Sequence, residues 1–286
     1  KKIPRLRHVI KPIFVLGTGR SGTTILGTVL SLHPSVCFLN EPKALWHSIH
    51  PEEDLIGSYS RSLARYYLYS HDASNDVIRA AHKLYGYSLA LTHSERILDK
   101  YPELIFRIPF VKKIFPDAKF IFLVRNGWDT INSIAQWSER ETIKVNGEIH
   151  NWWGANYRKW NFIVNDLVQG NPLFAGREMK IKKFDNQIDM AAVEWIATMH
   201  EGIVQFQNKT NNIYLLHYED LVDDPRQSLT KLLAFCELAP DDKLLAYASK
   251  RLTRPGSYRP MSLDVSIADL FEQQMKVIAE IKGKTI

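Results

Sequence analysis

Apolar residues run unbroken from Ile13 to Leu16 and stop at Gly17. A run that short, closed by glycine, reads as a buried strand. Beyond a Gly-rich turn, Ile25, Leu26, Val29 and Leu30 recur at helical spacing within Thr23 to Leu32, which predicts a helix with one covered face. Val36 to Asn40 predicts a second strand, closed by Glu41-Pro42. Ala118 to Val124 is apolar after Lys119, so that strand should be covered on both faces, as parallel strands are. The stretch "NIYLLHYEDL" predicts a further strand running into a turn. "DMAAVEWIATMHEGIVQFQ" predicts a helix, and Asp224 with Pro225 opens another as cap and first-turn pair.

The remaining segments read less sharply. Residues from about 54 to 100 predict helix in at least two pieces, broken near "SHDASND". Leu104 to Phe110 mixes strand character with a proline stop. Ser138 to Asn151 is polar and aperiodic, the pattern of a long loop or insertion. Trp153, Tyr157 and Trp160 recur at i, i+4 and i+7, one face of a helix. Alternating strands and helices predict an α/β fold of three layers, a central parallel sheet flanked by helices on both faces. No repeat, low-complexity tract or linker divides the 286 residues. The expectation is one domain over 1–286, with a loop or lid insertion around 138–165.

Charge narrows the partners. The formal net charge is +6, which fits either a solvated basic surface or a site for a strongly anionic ligand. No run of five like charges and no basic tail is present, so nucleic acid is not an expected partner. The two cysteines, Cys37 and Cys236, lie far apart in apolar surroundings, the pattern of free thiols in a reducing compartment. No apolar run approaches the ~18 residues of a membrane span. The basic start reads as the lead-in to the first strand. These features predict a soluble, cytoplasmic protein with no membrane partner.

The turn "GTGRSGTT" has glycines at the spacing of a phosphate-binding loop, Gly17 and Gly22, but Thr23 stands where that loop has lysine. The turn is P-loop-like in its context of strand, Gly-rich turn and helix. Its amides at Gly19, Arg20, Ser21 and Gly22 converge on the helix N-terminus, and Ser21, Thr23 and Thr24 offer hydroxyls. Arg20 offers a planar fork for an oxyanion. Without the lysine and a clear acidic partner for magnesium, Mg-ATP chemistry fits poorly. A second strand-to-helix turn, "VRNGWDTINS", places Arg125 at a strand's end and Ser133 eight residues later. Ligands of open α/β sheets bind outside the carboxyl ends of strands, so two anion sites at one sheet edge suit a ligand with phosphates at both ends. Asp129 is placed to cap the helix or to pair with Arg125. His47 and His50 lack a third ligand at matching spacing, so no metal is expected.

The pair "GTGRSGTT" and "VRNGWDTINS" resembles the sulfotransferases that use 3′-phosphoadenosine 5′-phosphosulfate (PAPS), and in motif it is most like the tyrosylprotein type and its bacterial relatives. The likeness is specific in these two motifs and diffuse from about residue 11 to 260. It implies sulfuryl transfer to a hydroxyl, or second to a nitrogen, with 3′-phosphoadenosine 5′-phosphate (PAP) as product. The first loop would hold the phosphosulfate, and Arg125 with Ser133 the 3′-phosphate. Glu41 stands where the tyrosylprotein type has its catalytic base; His82 is the rival. Arg107 stands where many relatives have Lys-x-Pro and would be a second cation beside Arg20. Tyr218 would approach the nucleotide, as would Arg254, Ser257 and Arg259 of the basic stretch "RLTRPGSYRP". Trp46 and Trp128 would stack on adenine or acceptor, or belong to the core. The expected acceptor is a small molecule such as a natural product, with peptide tyrosine and carbohydrate as alternatives. A divergent P-loop kinase and a non-catalytic nucleotide-binding module stay open.

Overall fold

The computed structural model describes residues 6–281, apart from 255, 257 and 259. In chain order the elements are β1 (Ile13–Gly17), α1 (Thr23–Leu30), β2 (Val36–Asn40), α2 (Lys43–Ile49), α3 (Asn75–Thr92), β3 (Arg96–Lys100), α4 (Ile108–Ile114), β4 (Lys119–Val124) and α5 (Gly127–Arg140). Then follow β5 (Ile143–Val145), β6 (Glu148–Asn151), β7 (Gly154–Ala155), α6 (Arg158–Phe162), α7 (Glu178–Ile181), α8 (Gln187–Gln207), β8 (Ile213–His217), α9 (Tyr218–Asp223), α10 (Pro225–Cys236), α11 (Asp242–Arg251) and α12 (Ala268–Ile281).

Five strands form one parallel sheet in the order β2-β3-β1-β4-β8. Side chains alternate across it, as the period of two requires. Ile13, Val15, Ile121 and Leu123 point to one face and pack with α1, α10 and α11. Phe14, Leu16, Phe120 and Phe122 point to the other and pack with α3, α4, α5, α8 and α12. The result is helix, sheet, helix: the three-layer α/β fold. Covering a Leu, Ile or Phe on these faces contributes about 1.5–3 kcal/mol each. The register pairs Gly17 with Leu123 and Asn40 with Lys100. The turns after β1, β2, β3 and β4 therefore emerge at one edge of the sheet.

Four segments differ from the pattern reading. Within 54–100 the long helix is α3 alone, and Arg96–Lys100 is a central strand. Its three charged residues are buried, which hides it from a search for apolar runs. Leu104 to Phe110 is not a strand: it is 3-10 helix over Pro102–Arg107 that continues into α4. Apolar residues on all sides of it erase any period. After α5 the polar stretch forms an antiparallel sheet of β5, β6 and β7 rather than a loop. Trp153 lies in the turn between β6 and β7, and Tyr157 takes a left-handed backbone before α6. The two tryptophans still meet, with rings of Trp153 and Trp160 5.7 Å apart, but across a turn and not along one helix.

Candidate active site

The turn after β1 brings backbone N–H groups together. Gly22 caps α1 in the left-handed region at φ 97, and no side chain caps the helix. A Cβ there would stand 2.5 Å from the Tyr218 ring, so both the conformation and the space require glycine. Arg20 is also left-handed, at φ 68. Its Nε donates to Ser133 Oγ at 3.2 Å, which ties the turn to α5. Among the described residues no carboxylate pairs with Arg20. Desolvation, then the like charges of Arg140 and Arg125, hold its pKa below the ordinary value.

Arg125, at the end of β4, is buried. It donates to Arg20 O at 3.2 Å, lies 3.6 Å from Asp129 and stacks 4.7 Å from the Tyr218 ring centre. Its Nε is buried without a hydrogen-bond partner. Asp129 also accepts from the Tyr258 backbone N–H at 2.9 Å. Across the cleft, Glu41 follows β2 at φ 47. Its own N–H donates to Lys100 O at 2.8 Å. Lys100 donates from Nζ to Glu41 Oε1, and Lys43 Nζ is 3.4 Å from Oε2. Positive φ at a residue with a side chain is uncommon and points to a site worth reading; here it occurs at the turn's arginine and at the facing carboxylate.

Between these groups lies a cleft of about 480 Å³. Gly19, Arg20, Gly22, Thr23, Thr24, Arg125 and Ser133 form one side, Glu41, Lys43 and Glu103 another. Trp137, Asn151, Trp152 and Lys159 also line it, with Ile25, Ile56 and Pro102. Arg125 also lines an adjoining cavity of about 400 Å³, with Trp128, Asp129 and Tyr258. Lys159 is buried, 2.6 Å from Glu194 and 3.4 Å from Glu103. Burial pulls its pKa down, but the two carboxylates outweigh that and the net direction is up. Burial opposes ionisation of Glu103, yet Lys159 and then Lys43 draw its pKa down.

Sequence-predicted residues fare unevenly. Glu41, Arg20, Gly19, Gly22, Thr23, Thr24, Arg125 and Ser133 converge on the cleft. Tyr218 supports it from behind Gly22 and Arg125. Ser21 is wholly buried beneath the turn and is not among the cleft's walls. Arg107 must be corrected: it is fully buried, donates to the carbonyls of Glu53, Arg65 and Tyr66, and lies 3.6 Å from the Glu53 carboxylate. It braces the segment before α3 and does not face the cleft. Arg254 is exposed and paired with Asp223, outside the cleft. Ser257 and Arg259 lie outside the described residues. His82 bonds Ile114 O at 2.9 Å and packs 4.8 Å from Phe115, so it is not placed as a base. Trp46 is core, donating to Asp99 at 2.8 Å. Trp128 packs on Phe271 and borders the adjoining cavity.

A model of the sulfotransferase family matches residues 12–171. The chain belongs to the sulfotransferase family. Curated relatives include a protein-tyrosine sulfotransferase of Drosophila melanogaster, 24% identical over 74% of this chain and 41% of that protein. An uncharacterized protein of Aquifex aeolicus is 28% identical over 87% of this chain and 29% of its own length. The chain thus spans less than half of each. The fold is that of the sulfotransferase domain from the Synechococcus PCC 7002 olefin synthase (TM-score 0.53, 16% identity, 97% of this chain and 98% of that one). It is also that of the sulfotransferase domain from the curacin biosynthetic pathway (TM-score 0.50, 15%, 93% and 98%). In this chain, the contact of Lys100 with Glu41 was not read from sequence, although Lys100-Tyr101-Pro102 carries the Lys-x-Pro spacing sought at Arg107. Trp152 and Lys159 fall in the stretch read as a loop or lid insertion around 138–165, but neither was singled out, because tertiary packing brings them to the cleft.

Proposed function

We propose that the chain transfers a sulfuryl group from PAPS to a hydroxyl on an acceptor. The observation that carries this reading is the cleft itself: an uncapped, P-loop-like turn with Arg20 on one side, and Glu41 held by Lys100 on the other. The uncapped helix start and the unpartnered Arg125 Nε fit a ligand rich in anionic oxygens. Because Arg125 borders both cavities, one ligand with phosphates at two ends can engage both. Bound there, PAPS supplies the activated sulfuryl group.

Glu41 accepts the acceptor's proton as its oxygen attacks. Lys100, bonded to Glu41 from its buried side, and Pro42, next in the chain, fix where that carboxylate points. Arg20, Lys100 and the turn amides oppose the charge that develops during transfer. Arg125 and Ser133 hold the nucleotide end. The names of relatives called protein-tyrosine sulfotransferases support peptide tyrosine as a candidate acceptor, beside small molecules and carbohydrates. Two buried, unpaired cysteines support a reducing, cytoplasmic setting. Among the described residues no helix is long and apolar enough to cross a membrane.

Calorimetry with PAP against Mg-ATP, followed by transfer from labelled PAPS to a panel of acceptors, tests the proposal. Tight PAP binding with labelled product is expected. Binding of Mg-ATP without PAP points to a kinase. PAP binding with no transfer to any acceptor points to a binding module.

A further inference from the structure

Trp152, in the turn between β6 and β7, lines the cleft and is held by four neighbours. Its Nε1 donates to Glu194 Oε2 at 2.6 Å, and the Lys159 ammonium lies 4.6 Å from its ring centre. Lys159 is itself bound to Glu194 and Glu103, so the bracket is a buried ion cluster and not a pair of mobile surface chains. Trp137, one turn beyond Ser133 on α5, meets Trp152 edge to face at 5.4 Å. The Trp152 ring edge also rests on Gly19: a Cβ at that glycine would stand 2.8 Å from Cζ2 and closer still to Cη2. Gly19 is therefore required by the tryptophan packed on it.

Charge is distributed unequally across the cleft. On the phosphate-binding side, no carboxylate among the described residues pairs with Arg20. On the Glu41 side every cation is matched: Lys43 and Lys100 face Glu41, and Lys159 faces Glu103 and Glu194. Among the described residues two ammonium groups, Lys43 and Lys159, and two carboxylates, Glu41 and Glu103, line that wall, with Lys100 and Glu194 paired to them from behind, and the rest of it is Ile56, Pro102, Asn151 and the two indoles. A surface so balanced gives no net attraction to an anionic acceptor, while indole faces favour a flat apolar one.

Resting on the transfer reading above, we propose that Trp152 is the specificity-determining wall of the acceptor half, which seats an uncharged, planar hydroxyl-bearing group against the phosphate-binding turn. Trp152 acts by position: it fixes the acceptor relative to Glu41 and keeps water from the sulfuryl group. When water attacks instead, the sulfur–oxygen bridge of PAPS breaks and PAPS and water give PAP, sulfate and, with both products fully ionised, two protons.

The test compares wild type, Trp152→Phe and Trp152→Ala. It measures PAP affinity by calorimetry, kcat/KM for 2-naphthol, for a linear alcohol and for a tyrosine peptide flanked by aspartates, and acceptor-independent PAPS hydrolysis. Wild type is expected to prefer 2-naphthol. Trp152→Ala should lose about tenfold or more in kcat/KM for 2-naphthol and much less for the alcohol. It should also hydrolyse PAPS faster, with PAP affinity held within about threefold, and Trp152→Phe should restore most of the loss. An unchanged naphthol-to-alcohol ratio in Trp152→Ala, or a wild-type preference for the acidic peptide, overturns the proposal. Failure of wild type to bind PAP overturns the transfer reading instead.

Discussion

Arg20 and Glu41 reach the cleft from opposite sides on left-handed backbone, and each is tied down by a neighbour: Ser133 for the one, Lys100 for the other. Such placement is costly for a residue with a side chain and persists because the surroundings hold it. Two substitutions separate the roles assigned here. Arg125→Ala removes a cation that touches both cavities, and PAP affinity should fall about 10- to 100-fold by calorimetry. An unchanged Kd would remove Arg125 from the nucleotide site. Lys100→Ala removes the buried ammonium that holds Glu41. Steady-state kinetics should show kcat lowered about 10²–10³-fold with PAP affinity far less affected.

The elements of the sheet that carry unbroken apolar runs, β1, β2 and β4, were legible from pattern alone, as were α1, α8 and α10. The turn after β1 and the pair Arg125 and Ser133 were legible because their chemistry is local: adjacent amides, and residues spaced along one helix. β3 was not legible, because Arg96, Asp99 and Lys100 break its apolar run while packing makes them interior. Missing that strand also left the buried Lys100, bonded to Glu41, unread. Arg107 belongs instead to the brace between the 3-10 segment Pro102–Arg107 and residues 53–66. Arg107→Met leaves Glu53 buried without its cation, and burial already pushes that carboxyl's pKa up. The variant should lose about 3–5 kcal/mol of stability in urea unfolding, with PAP affinity of the folded protein unchanged. A stable variant that no longer binds PAP would return Arg107 to the site.

At the scale of the molecule, both helical layers meet the sheet in the core, and one of the two packed faces holds a titrating group. Asp99 is buried and accepts from Tyr85 and from Trp46. Burial pushes its pKa up to about 7, against those two hydrogen bonds and Lys100, whereas the unfolded carboxyl titrates near ~3.9. Between those values the folded chain holds more protons, so this contribution to stability falls as pH rises and is lost by about pH 7. Asp99→Asn should flatten the pH dependence of the urea midpoint between about pH 4 and pH 7, by at most about 4 kcal/mol. An unchanged slope would mean that Asp99 is ionised throughout. All of this scaffolding serves to hold one carboxylate opposite one anion-binding turn. Single-turnover transfer from labelled PAPS, comparing wild type with Glu41→Gln, tests that arrangement most directly. The account predicts transfer by wild type and a rate about 10²–10⁴-fold lower in the variant at nearly equal PAP affinity; equal rates in the two would contradict it.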